Sequence, residues 1–231
     1  MAGPAFIQLR GLKRRYELGG DVVNALDGVD LDIARGEFLC LMGPSGSGKS
    51  TLLNLLGGLD SPTGGTITVE GSEITTLDDN DLAHYRQRMV GFVFQSFNLI
   101  PTMTALENVE LPLIFSGAPP AERRARALAM LERVGLADRL KHRPIELSGG
   151  QQQRVAMARS LINEPAILLG DEPTGNLDSK TGEEVLAMLK QLNQDGQTVV
   201  LVTHDPRVSS FATRTIHLLD GRIVDEDIAP L

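Results

Sequence analysis

One octapeptide constrains this chain more than any other part of it: Gly43-Pro44-Ser45-Gly46-Ser47-Gly48-Lys49-Ser50. A glycine, four free positions and then Gly-Lys-Ser is the spacing of a loop that wraps phosphate. Each residue type has a physical reason. Glycines let the backbone curl so that successive N–H groups point inward at phosphate oxygens. A helix starting directly afterwards brings its positive N-terminal end to the same point. Lys49 supplies a point charge for β- and γ-phosphates, Ser50 a hydroxyl for Mg²⁺, and Thr51 closes the set of nucleotide-binding residues. The flanks agree with this reading. Phe38-Leu39-Cys40-Leu41-Met42 is an unbroken apolar run, as in a strand buried on both faces of a parallel sheet, and residues 52–59 form an apolar helix-like stretch. The expectation is a strand–loop–helix unit that binds a nucleotide.

Composition narrows the setting. The chain has 231 residues, 42% of them hydrophobic and 23% charged, which suits an ordinary globular protein with a sizeable core. Its net charge of −8 argues against a nucleic-acid binder that works by neutralising phosphates. A single cysteine, Cys40, excludes a disulfide framework and a multi-cysteine zinc site; in the apolar run it reads as a small core residue. No segment approaches the roughly 18–20 unbroken apolar residues of a spanning helix. Residues 1–8 lack the basic start and long apolar stretch of a signal peptide.

Three regions follow along the chain. Residues 6–94 alternate short apolar runs with turn signals. Phe6-Ile7-Gln8-Leu9 and Val29-Asp30-Leu31-Asp32-Ile33 have the period of half-buried strands, and Thr66-Ile67-Thr68-Val69 is β-rich. Residues 96–161 read as helical, with stripes at Leu128, Leu131 and Val134 and at Val155, Ala158, Leu161 and Ile162 that suit core packing. The remainder returns to buried-strand runs at 166–169 and 199–202, separated by a helical pattern at 183–192. Strand–helix–strand order implies parallel pairing with right-handed crossovers. The expected organisation is an α/β core of residues 1–95 and 161–231, with an α-helical subdomain of residues 96–160 inserted into it.

Two further motifs carry chemistry. Ile167-Leu168-Leu169-Gly170 delivers two adjacent carboxylates, Asp171 and Glu172, at the end of an apolar strand. Such a pair is costly unless it meets a cation or water. Asp171 suits a Mg²⁺ ligand, and Glu172 a base that polarises an attacking water. Leu147-Ser148-Gly149-Gly150-Gln151 precedes the second helical stripe. Ser148 has N-cap character, and the two glycines allow close approach to an anion. One nucleotide does not need two cradles from the same chain, so Ser148, Gly149, Gly150 and Gln151 are expected to serve a nucleotide held by another copy. As a lone pentapeptide the motif could equally be a helix cap.

Taken in order, these motifs resemble the ATP-binding subunits of ABC transporters over essentially the whole chain. Residues 43–50 resemble Walker A, Gln95 in Gly91-Phe92-Val93-Phe94-Gln95 the Q-loop glutamine, and residues 147–151 the signature sequence. Asp171 and Glu172 resemble the Walker B aspartate and the catalytic carboxylate. Leu177-Asp178 resembles the D-loop, and His204 in Val202-Thr203-His204-Asp205 the H-loop switch. Tyr16, ahead of a Gly-Gly turn, resembles the aromatic residue that stacks on adenine, with Val23 helping to wall the base. Stretches such as Glu172-Pro173-Thr174-Gly175-Asn176-Leu177-Asp178 resemble the branch of lipoprotein-releasing (LolD-type), macrolide-exporting (MacB-type) and cell-division (FtsE-type) ATPases. The short stretch after His204 leaves no room for the regulatory domain typical of sugar importers. Gly170, where the family more often has alanine, and Gly64, in place of a more usual serine, are the departures.

The resemblance implies a P-loop NTPase core: a mostly parallel RecA-like sheet, an antiparallel β part near the N-terminus and the inserted helical subdomain. It implies ATP and Mg²⁺, the ion held by Ser50, Gln95 and Asp171, with catalysis by Glu172, His204 and Gln95. It also implies a head-to-tail homodimer around two ATP molecules, and a membrane permease touching residues 97–115 from the inner face of the plasma membrane. Export or extraction of lipoproteins, macrolides or peptides is the leading expectation. The alternative is an FtsE-type signalling ATPase that regulates a periplasmic enzyme through a non-transporting partner.

Overall fold

The computed structural model describes residues 5–19 and 21–228. The leader reading of residues 1–8 and the Gly-Gly turn after Tyr16 therefore lie partly outside the described residues. In chain order the elements begin β1 (Ile7–Leu18), β2 (Asp21–Ile33), β3 (Phe38–Met42), α1 (Lys49–Leu56), β4 (Gly64–Val69) and β5 (Ser72–Glu73). Next come α2 (Asp79–Met89), β6 (Val90–Phe94), α3 (Ala105–Phe115), α4 (Pro120–Arg133), a single 3₁₀ turn at Pro144–Glu146 and α5 (Gly149–Leu161). The chain ends with β7 (Ile167–Asp171), α6 (Ser179–Gln194), β8 (Thr198–Val202), α7 (Pro206–Ser209), β9 (Arg214–Leu219) and β10 (Arg222–Ile228). Two compact units divide these elements: residues 1–86 with 189–231, and residues 87–188.

The first unit contains an antiparallel sheet in the order β2-β1-β4-β5. The alternation read in the sequence is the alternation of burial: Ile7 and Leu9 are inside, as are Val29, Leu31 and Ile33, while Asp30 and Asp32 face out. The same unit holds β3, paired in parallel with β8 on one side and β9 on the other, and β10 runs antiparallel to β9. Successive side chains of β3 point to opposite faces and the first four are buried, and burial on both faces accounts for its unbroken apolar run. Phe38, Leu39, Cys40 and Leu41 are fully buried, and burial pushes the Cys40 thiol up to about 12, as befits a packing residue.

Two features of this unit depart from the sequence reading. The helix α2 lies within a region read as strands and turns. Its sequence is polar and buries one large side chain, Tyr85, whose hydroxyl donates to the Leu56 carbonyl at 2.8 Å. A helix anchored by one aromatic has no apolar stripe to detect. The β9–β10 hairpin adds two strands beyond Val202. Its outer strand is mostly charged, with Asp225, Glu226 and Asp227 exposed.

The second unit pairs β6 with β7 in parallel and packs α3, α4 and α5 around one apolar cluster. Leu106, Val109, Leu113, Leu131, Val134, Val155, Ala158 and Ile162 belong to it, with Leu128 partly buried against it; Leu161 is buried outside this cluster, so the two stripes are packing surfaces. Thr104 starts α3 with a capping box: its Oγ1 accepts the Glu107 N–H, and the Glu107 carboxylate accepts the Thr104 N–H at 2.7 Å. Asn108, fully buried, organises the turn before that helix. Its Oδ1 accepts the Ile100 N–H at 2.8 Å, and its Nδ2 faces the carbonyls of Ile100, Met103 and Thr104 at 3.0–3.2 Å. Asn108→Ala strands those groups in the interior. It is expected to lower stability by about 1–3 kcal/mol, seen as a lower midpoint in urea unfolding.

Candidate functional site

In the first unit, β3 runs into the 43–51 loop and α1. Gly43, Gly46 and Gly48 take φ of 151°, 80° and 100°. Side chains are excluded at two of them: a Cβ on Gly43 would collide with the Leu218 carbonyl, and one on Gly48 with the Ala25 carbonyl. Pro44, Ser45 and Gly46 form the exposed tip, while Ser47 is buried and its N–H closes a turn onto the Pro44 carbonyl at 3.2 Å. Gly48, which has no side chain, is the N-cap of α1, and no acidic residue lies in its first turn. This is the helix end that attracts an anion. Lys49, buried to 7% exposure, folds its Nζ over the loop, 2.8 Å from the carbonyls of Gly43 and Pro44. Ser50 is exposed and Thr51 half-buried in that turn.

Parallel pairing sets what stands beside this loop. Leu41 is in register with Val202, and the Thr203 N–H donates to the Leu41 carbonyl at 3.1 Å. The phosphate loop and His204 therefore leave the same edge of the sheet from neighbouring strands, at the carboxyl ends where ligands bind in open α/β sheets. His204 is exposed there. Asp205 behind it caps α7; its hydrogen bond with Arg207 holds the carboxyl below the usual range.

Tyr16 and Val23 are direct cross-strand partners on β1 and β2. Val23 is 46% exposed. The Tyr16 hydroxyl donates to Asp60 at 2.7 Å, and Arg14 pairs with the same carboxylate at 2.6 Å while its guanidinium lies 4.6 Å from the ring centroid. The ring is thus held rigidly, with a cation over it.

The second unit holds the other residues, again through strand register. Phe94 of β6 faces Asp171 of β7, so Gln95 and Glu172 emerge side by side at one edge. Glu172 has φ 47°, a left-handed conformation that a residue with a Cβ adopts only under constraint. A turn closed by the Gly175 N–H on the Glu172 carbonyl at 2.9 Å supplies part of that constraint. Gln95 and Asn176 bind each other in both directions: Gln95 Nε2 donates to Asn176 Oδ1 at 3.3 Å, and Asn176 Nδ2 to the Gln95 carbonyl at 3.0 Å. Sequence reasoning quoted Asn176 but gave it no role; its position in the turn after two carboxylates was the available signal.

Ser148 is the N-cap of α5. Its Oγ accepts the Gln151 N–H at 3.3 Å, and Gln151 Oε1 accepts the Ser148 N–H at 3.0 Å, a full capping box. Ser148 is nevertheless exposed. Gly150 is fixed by packing, since a Cβ there would collide with the Thr181 methyl. Thr181 in turn donates its N–H to exposed Asp178 at 3.1 Å, and hydrogen bonds from Thr181 hold that carboxyl below the usual range. Among the described residues, no group of three His, Cys, Asp or Glu side chains could hold a metal by itself, and no helix is long and apolar enough to cross a membrane.

Comparison with known proteins gives the following. A family profile described as "ABC transporter" matches residues 26–175. The chain is 53% identical over 222 residues to a macrolide export ATP-binding/permease protein, MacB 1/2, of Paracoccus denitrificans, covering 96% of this chain and 33% of that protein. It is 53% identical over 226 residues to the uncharacterized ABC transporter ATP-binding protein MJ0796 of Methanocaldococcus jannaschii, covering 96% of each. The chain thus spans about a third of the macrolide-export relatives and nearly all of separate cassettes. A solved dimeric structure of MJ0796 in a post-hydrolysis state, bound to ADP and Pi, superposes with a TM-score of 0.89 at 50% identity, covering 96% of this chain and 98% of that one.

Proposed function

The chain belongs to the ABC transporter family, in the branch of the MacB-type and LolD-like cassettes, and from that premise we propose that it is an ATP-binding and ATP-hydrolysing subunit that drives a membrane permease. The observation that carries this reading is the 43–51 loop itself, with its two obligatory glycines, its inward lysine and a glycine at the N-cap of α1. Residues 43–51 bind the triphosphate, and Tyr16 and Val23 receive the base. Gln95, Glu172 and His204 act on the γ-phosphate and the attacking water, Glu172 as the base that takes its proton. Ser50, Gln95 and Asp171 offer hard oxygen donors, the set that suits Mg²⁺ shared with nucleotide phosphates. Bound there, the ion would neutralise charge developing on the phosphates. By role, residues 1–95 and 161–231 are assigned to the nucleotide-binding core and residues 96–160 to the helical subdomain, although β6 and β7 pack within the second compact unit.

The second cradle acts in trans. Ser148, Gly149, Gly150 and Gln151 of one copy face the phosphates held by the 43–51 loop of the other, with Asp178 at the same junction, so two ATP molecules join a homodimer with C₂ symmetry. The dimeric structures of MJ0796 support the homodimer. The permease docks on the inner face of the plasma membrane against the end of α3, where Ile114 and Phe115 are 44% and 75% exposed. Export or extraction is the transport mode favoured by the MacB relatives. Purification from the native membrane tests it: a permease with a large extracytoplasmic domain and a transported substrate supports export, and a non-transporting partner that controls a periplasmic enzyme overturns it.

Lys49→Ala tests nucleotide binding. Removing the charged donor is expected to weaken ATP affinity about ten- to a hundredfold in titration calorimetry, with the fold unchanged by circular dichroism. Wild-type affinity in that variant would remove the loop from the site.

A further inference from the structure

The loop after β6 holds two consecutive non-glycine residues in the left-handed region, Phe97 at φ 58° and Asn98 at φ 49°. Residues with a Cβ avoid that region, and a pair in succession persists only when its surroundings over-determine it. The constraint comes from α5. Arg159 donates from Nη2 to the Phe97 carbonyl at 2.9 Å and from Nη1 to the Asn98 carbonyl at 2.6 Å. One planar guanidinium spanning adjacent carbonyls fixes both peptide planes, which a lysine ammonium cannot do. Burial lowers the Arg159 pKa, so this cation is held partly out of water where it makes these bonds.

The clamped segment has consequences on both sides. Gln95 stands two residues before Phe97 and is tied to Asn176 in both directions. The tip of the Phe97 ring lies against Gly149, close enough that a Cβ there would sit 3.7 Å from Cζ. Gly149 opens α5 immediately after Ser148.

We propose that Arg159 is a positioning residue for ATP hydrolysis: by clamping the Phe97 and Asn98 carbonyls it holds Gln95 at the strand edge beside Glu172 and seats Phe97 against the first glycine of the 148–151 cradle. The inference rests on the ATPase reading above. Arg159 lies outside the phosphate loop, so losing the clamp lowers turnover and leaves nucleotide affinity in place.

The test uses the full chain as wild type, Arg159→Met, Arg159→Lys and the double variant Arg159→Met/Asn98→Gly. Steady-state kcat and ATP affinity by calorimetry are measured for each, below its own Tm. Both single variants should lose about tenfold or more in kcat, with ATP Kd within about twofold of wild type. The double variant should recover much of the loss, because glycine enters the left-handed region without a clamp. Arg159→Lys keeps the charge on a stem that cannot bridge both carbonyls, and gives the same split if the methionine variants do not fold. Wild-type kcat in either single variant, or a double variant no better than Arg159→Met, overturns the clamp. A wild-type protein that binds no ATP overturns the ATPase reading instead.

Discussion

Glu172→Gln is expected to bind ATP as tightly as wild type and to hydrolyse it about 10²–10⁴-fold more slowly. The substitution keeps shape and hydrogen-bonding reach and removes only the proton acceptor. Its expected signature is therefore a fall in kcat without a matching rise in nucleotide Kd. The local structure agrees with that division of labour. Glu172 sits one residue past β7 in a left-handed conformation, a strained posture that aims a side chain away from the direction the strand would give it. Strand register places Gln95 next to it. Phosphate release at saturating ATP gives kcat, and calorimetry with a non-hydrolysable analogue gives Kd. Because the bound triphosphate would persist, light scattering should show a dimer in ATP and a monomer without it. Turnover near the wild-type rate would place water activation on another group, with His204 the next candidate.

How far the sequence carried the structure depends on where each element keeps its information. The strand β3 and the loop after it were legible because burial on both faces demands an unbroken apolar run and the tight backbone demands glycine at Gly43 and Gly48. The N-cap character of Ser148 was legible as a local pattern and is part of a full capping box, whereas the box of Thr104 and Glu107 at the start of α3 was not read. By contrast, α2 stores its one tertiary anchor in Tyr85 and shows no periodicity. The β9–β10 hairpin had a readable turn, since Asp220 and Gly221 both take positive φ as an Asp-Gly hairpin turn requires, but its charged outer strand hid the alternation. In the site, residue identity was legible and geometry was not. Nothing in the sequence brings Arg159 to the carbonyls of Phe97 and Asn98, more than sixty positions away along the chain; that proximity exists only after α5 packs beside β6. Residues 97–115, read as one apolar docking surface, divide in the structure: Leu106, Val109 and Leu113 fill the core, and Ile114 and Phe115 face outward. The composition of the stretch does not separate the buried residues from the exposed ones, because the division needs the packing partner to be known.

Ser148→Arg separates the two meanings of the Leu147-Ser148-Gly149-Gly150-Gln151 motif. If Ser148 is only a helix cap, any replacement that loses the Oγ acceptor costs the same, about 0.5–2 kcal/mol of stability, and assembly is unaffected. If the start of α5 also receives a nucleotide held by a second copy, the arginine does more. It adds a long cationic side chain at the exposed first position of the motif, beside half-buried Gly149 and buried Gly150, and so blocks close approach of a second copy and its phosphates. The phosphate loop is elsewhere in the chain and unaltered, so each monomer should still bind ATP normally. Dimerisation, measured by light scattering in the Glu172→Gln background where ATP persists, is expected to weaken by about a hundredfold or more, the order of a steric and charge clash worth several kcal/mol at an interface. Ser148→Ala is the matched control: it loses the cap without adding bulk, and should give the stability loss while retaining the ATP-dependent dimer. Equal dimerisation by both variants would reduce the motif to a cap and leave the trans site without its second wall. Loss of the dimer in Ser148→Arg alone would place the α5 terminus at the interface, because no difference in capping distinguishes the two substitutions.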